Sequence, residues 1–91
     1  MITVEAVPTR RGWDCEVEVT EGDVTSRHNV RLSAPDLERW RRAPEETPES
    51  LVTRAFEFLL AREPGTQILK SFEMADIQRF FPEFDQEIRT G

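Results

Sequence analysis

A chain of 91 residues, 37% hydrophobic and 33% charged, has the balance of one small folded domain spanning 1–91 and excludes a disordered chain. Its net charge of −6 argues against a general nucleic-acid binder, which needs cations to neutralise phosphate. A lone cysteine, Cys15, leaves no intramolecular disulfide, and no stretch approaches the ~18 apolar residues of a membrane span or the pattern of a signal peptide, so a cytoplasmic chain, monomeric or homodimeric, is expected.

Residues 2–7 alternate with the period of a strand until Pro8 and Thr9-Arg10-Arg11-Gly12 interrupt them. From Trp13 to Thr20 the alternation is cleaner. Trp13, Cys15, Val17 and Val19 share one face, and Asp14, Glu16, Glu18 and Thr20 share the other. Glu21-Gly22-Asp23 is a turn signal, after which His28, Val30 and Leu32 return to the apolar face and Arg27, Asn29 and Arg31 to the polar one. The expected product is an antiparallel hairpin or three-stranded meander over 1–32, with Glu16 and Glu18 across from Arg27 and its neighbours.

The helical part, 33–91, starts with Ser33-Ala34-Pro35-Asp36, a capping sequence with Pro in the first turn, and Leu37 and Trp40 supply an inward face. Pro44 limits this helix to about two turns. Thr47-Pro48-Glu49-Ser50 starts a second helix. Leu51, Val52, Ala55, Phe56, Phe58, Leu59 and Leu60 spread over about 200° of its circumference, so it is expected to be the central, multiply packed helix, with Arg54 and Glu57 in the polar remainder. Pro64-Gly65 ends it. Ile68, Leu69 and Phe72 fit either a helical turn or a strand. Met74, Ile77, Phe80 and Phe81 have helical spacing up to Pro82, and 83–88 is long enough for a last short turn. The fold class is therefore α+β: a hairpin or meander followed by three to four helices packed on one sheet face.

Two resemblances follow from these segments. Residues 27–63 resemble the ribbon-helix-helix repressors and antitoxins, with Arg-His-Asn-Val-Arg-Leu-Ser as the ribbon, Ala34 to Arg42 as the first helix and Pro48 to Glu63 as the second. That resemblance implies a DNA-binding regulator whose outward strand residues Arg27, Asn29 and Arg31 enter the major groove. The chain departs from it in a short first helix, a Pro- and Glu-rich interhelix turn, and a preceding strand that would fill the edge used for dimerisation. Residues 48–88, with Phe-Glu-Phe-Leu-Leu-Ala-Arg-Glu-Pro, Ile-Leu-Lys-Ser-Phe and Phe-Phe-Pro-Glu-Phe, resemble a group of small bacterial proteins of unassigned function.

The residues that bear chemistry are few. His28 and Cys15 both fall on the apolar face, where packing is the expected role. Ser26 shares that face, but no third partner is evident for nucleophilic catalysis. A lone His and a lone Cys provide no metal-ligand spacing, and no cofactor is expected. Arg27, Asn29, Arg31, Arg39, Arg41 and Arg42 are the candidate contacts to an anion or nucleic acid. Phe80, Phe81 and Phe84 are the candidate anchors for a protein partner, because neighbouring residues on a helix point ~100° apart and cannot all face the core. The expected function is a small non-enzymatic protein-interaction or accessory module, acting through those aromatics or an open sheet edge; the alternative is the ribbon-helix-helix-like regulator.

Overall fold

The computed structural model describes residues 1–90. Strands β1 (Ile2–Pro8), β2 (Gly12–Glu21) and β3 (Val24–Ser33) run antiparallel as a meander. Helices α1 (Ala34–Trp40), α2 (Pro48–Leu60), α3 (Asp76–Phe80) and α4 (Phe84–Thr90) pack beneath it, and a three-residue strand, β4 (Ser71–Glu73), joins β3 in parallel. The sheet order is β1-β2-β3-β4, an α+β architecture.

The turns explain the register. Gly22 takes a φ of 60° while no non-glycine residue among those described has positive φ, so Gly22-Asp23 is a two-residue turn with glycine at its first central position. That type II′ geometry has the same hand as strand twist. At the other end of β2, a Cβ on Gly12 would stand 2.1 Å from the carbonyl oxygen of Leu32. Only glycine lets β2 begin this close to the end of β3, where Ala34 N–H bonds Arg11 O at 2.9 Å. The register then sets Glu18 opposite Arg27, Glu16 opposite Asn29 and Asp14 opposite Arg31, as the alternation requires.

Both main helices start on their capping residues. Ser33 Oγ accepts from Asp36 N–H at 3.2 Å and Thr47 Oγ1 from Ser50 N–H at 3.1 Å. Pro44 has no N–H to reach the carbonyl of Trp40 four residues back, and α1 stops at Trp40. Pro64 likewise cannot bond Leu60 O, and the last N–H of the α2 end is that of Glu63, on Leu59 O. Of the seven apolar residues of α2, Leu51, Val52, Ala55, Phe56, Phe58 and Leu59 are buried and Leu60 half-buried. They meet Cys15, Val17, Val19, Val30 and Leu32 from the meander, Trp40, Ile77, Phe84 and Ile88 from the other helices, Phe72 from β4 and Met74 just after it.

One open segment resolves and two local expectations change. Residues 66–72, which fit helix, strand or loop, divide between the end of a 3₁₀ turn (Gly65–Gln67), an extended link and the start of β4. The N–H of Asn29 and the C=O of Arg31 on β3 point away from β2 and bond Lys70 O (2.7 Å) and Met74 N–H (2.9 Å), which holds the segment extended. Met74 consequently lies on the exit from β4, and the helix expected from there is only Asp76–Phe80. Finally, Arg54 is not in a solvated remainder but is nearly buried, at 13% side-chain exposure.

Candidate functional site: an apolar groove beside alpha 3

The three candidate aromatics separate once folded. Phe84 is fully buried, its ring edge-on to Phe58 (5.1 Å) and Trp40 (5.3 Å), so it closes the core and is not available to a partner. Phe81, just past the end of α3, is half-buried against Phe58 at 5.9 Å. Phe80 turns outward and is 66% exposed. Beside it Leu69 is 54% exposed. The two rim a recess of about 380 Å³ whose apolar walls include Leu59, Ile68, Phe72, Ile77 and Phe81. Its carboxylates are Glu63 and Asp76; Arg79 pairs with Asp76 at 3.4 Å, and Glu63 has no cationic partner among the described residues. Concave apolar walls with few polar groups are the ordinary composition of a binding recess.

The groove's construction follows from the segment before β4. Ile68 and Leu69 are consecutive on extended chain, where neighbours point to opposite sides. Ile68 enters the core and Leu69 therefore faces out. Leu69 was not among the candidate residues, although its pairing with Ile68 was the available signal. Arg62 braces Phe58, the ring on which Phe81 packs, its guanidinium 3.6 Å from the centre of that ring and in ion pairs with Glu83 and Glu87.

The basic candidates do not form one surface. Arg27 pairs with Glu18 at 2.8 Å, Arg39 with Asp85 at 3.6 Å, and Arg41 with Glu38 at 2.6 Å. The amide nitrogen of Asn29 donates to both Asp14 and Glu16, so its donors are engaged by carboxylates. Arg31 reaches Ser71 Oγ at 3.1 Å. Arg42 alone of this set has no side-chain partner among the described residues. Arg27, Asn29 and Arg31 lie on the uncovered face of the sheet, whereas Arg39, Arg41 and Arg42 lie on or just after α1. β3 is paired by β2 along its length and by β4 at Asn29–Arg31, so the middle of the segment that would form the ribbon of a ribbon-helix-helix dimer is already taken on both edges. A second recess of about 540 Å³ at the β1–β2 turn contains Arg10, Arg11 and Arg31, interleaved with Asp14 and Glu73.

His28 and Ser26 come together inside the fold. The carbonyl of Leu69 can only accept, so His28 Nδ1 carries the hydrogen of the 2.7 Å bond between them, and Nε2 is hydrogen-bonded to Ser26 Oγ at 2.9 Å. His28 is 3% exposed, packs on Phe56 at 5.2 Å, and lines neither recess. The bond to Leu69 O fastens that end of the groove to β3, and the bond from Ser26, on the same strand, orients the ring. Cys15 is fully buried; burial first, then the charges of Glu49, Asp14 and Glu16, push its thiol up to about 11. Such a thiol is a packed hydrophobe, not a thiolate nucleophile. Among the described residues no three His, Cys, Asp or Glu side chains are grouped to hold a metal ion, and no helix is long and apolar enough to cross a membrane.

No protein-family model, curated protein or solved structure matches the chain.

Proposed function

We propose that this chain is a small, non-enzymatic, cytoplasmic interaction module whose groove beside α3 receives an apolar anchor from a protein partner. The observation that supports this reading is the pair Phe80 and Leu69, large apolar side chains that are more than half exposed and rim one apolar recess. Exposing two such groups together costs solvation that the fold does not recover, and contiguous apolar surface is a mark of interaction sites. The partner chemistry follows from the polar wall. Glu63 lines the recess with no cationic partner among the described residues, so the fitting ligand is an apolar residue flanked by Lys or Arg.

A displayed library of random peptides tests the reading. Enrichment of apolar anchors with basic flanks, lost with Phe80→Ala combined with Leu69→Ser while far-UV circular dichroism is unchanged, is the expected result. A library that enriches nothing, or peptides indifferent to both substitutions, would overturn it.

A further inference from the structure

The hydrogen-bond parity of β1 identifies a second surface with a different occupant. Met1 and Thr20 exchange both backbone bonds (2.7 and 2.9 Å), and Thr9 N–H bonds Gly12 O at 2.7 Å. With the unbroken register between them, the odd-numbered residues of β1 direct their N–H and C=O groups at β2. The even-numbered residues Ile2, Val4 and Ala6 direct theirs outward, and among the described residues β1 has no other strand neighbour. The opposite edge is blunted by the brevity of β4. β1 carries none of the usual protection: no bulge, no Lys, one acid at Glu5, and a Pro only at its last position.

We infer that β1 is the docking edge for a second copy of this chain, in an antiparallel β1–β1 ladder centred on Val4. Self-complementarity selects that occupant. For two identical antiparallel strands, a two-fold axis between residues would set outward groups against inward ones, so the axis must pass through a residue. Centring on Val4 pairs Val4 with Val4 and Ile2 with Ala6, and all three outward N–H groups on each copy find carbonyls. Centring on Glu5 would use Pro8, which has no N–H, and would set the two Glu5 carboxylates directly opposite, whereas centring on Thr3 leaves Ala6 unpaired.

The side chains agree with the Val4 register on both faces. On the outer face each Thr3 hydroxyl stands opposite the other copy's Glu5 carboxylate, which it can donate to. Exposed Val7 and Met1 also meet there, at 51% and 87% exposure in the single chain. On the inner face Ile2, Val4 and Ala6, half-buried against the core, gain an apolar neighbour each. The axis is perpendicular to the sheet, so both helical layers lie on the same side of one continuous eight-stranded sheet.

Sedimentation equilibrium on the full chain, with amide hydrogen exchange, tests this. The expected result is a dimer in which the Ile2, Val4 and Ala6 amides become protected as concentration rises, while the odd-numbered amides are protected throughout. Thr3→Glu, which sets like charges across the ladder twice, raises the dimer dissociation constant by about tenfold. Thr3→Lys, opposite Glu5, lowers it severalfold. Phe80→Ala leaves it unchanged, which separates this edge from the α3 groove. A chain monomeric at millimolar concentration, or a dimer indifferent to charge at Thr3, or one dissociated by Phe80→Ala, would overturn the proposal.

Discussion

The guanidinium of Arg54 grips the carboxylate of Glu46 at two points, Nε to Oε2 at 2.8 Å and Nη2 to Oε1 at 2.7 Å, with 13% and 8% of the two side chains exposed. The same guanidinium donates to Trp40 O at 3.3 Å and to Ile88 O. Trp40 O is the carbonyl that Pro44 leaves without a helical donor. One α2 side chain thus joins the end of α1, the α1–α2 connection and α4, and Trp40 adds a second tie to α4 through Nε1 on Asp85 at 2.8 Å.

Breaking that clasp on one side strands a nearly buried charge. Glu46→Gln is expected to destabilise the fold by about 3 kcal/mol, and Arg54→Ala by at least as much. The acid limb of the stability profile carries the same signature. The hydrogen bond from Arg54 first, with those from Arg42 N–H and Ser50, holds the Glu46 carboxyl at about 2 against an ordinary 4.5. Its contribution is therefore complete above about pH 4.5 and is lost as the pH falls toward 2. Denaturant unfolding of wild type and Glu46→Gln between pH 2 and 7 checks this: the two curves converge at the acid end.

Gly12 and Gly22 serve different needs, and alanine separates them. At Gly12 the new methyl collides with backbone 2.1 Å away, which no side-chain rotation relieves. Gly12→Ala is expected to cost more than about 3 kcal/mol or to abolish folding. At Gly22 the space is open and only the φ of 60° is unfavourable, so Gly22→Ala costs about 1 kcal/mol. Thermal melts of both variants supply the comparison.

Phe80 and Phe84 are opposite cases four residues apart. Removing the fully buried Phe84 ring leaves a cavity between Trp40 and Phe58, and Phe84→Ala is expected to cost about 3–5 kcal/mol. Phe80→Ala, at a solvent-facing position, changes stability by no more than about 0.5 kcal/mol. Chemical denaturation of the two variants decides whether the assignment of core and rim is right.

Cys15 reports on the closure of the core. A fully buried thiol pushed up to about 11 does not react with a disulfide reagent in the native state at pH 8. Labelling is expected to track unfolding, rising only as denaturant crosses the midpoint. Rapid stoichiometric labelling of the native chain would show the inner sheet face to be open.

Much of this molecule was legible as local pattern. The alternation of Trp13–Thr20 and Thr25–Leu32 determined the faces of the meander, the glycine-bearing turn determined its register, and Ser33, Thr47, Pro44 and Pro64 marked the limits of α1 and α2. These are properties of neighbours in the chain, where sterics, capping and a repeat of two or 3.6 residues act over a few bonds. Tertiary structure alone decided that 71–73 is a strand, because its pairing groups are on β3, some 40 residues away in sequence. It alone decided that Arg54 is a clasp, since its four acceptors lie on three other segments, and that Phe84 closes the core while Phe80 and Leu69 rim a groove. Periodicity ranks which side chains can face inward; which of them do depends on the volume that distant elements leave to be filled.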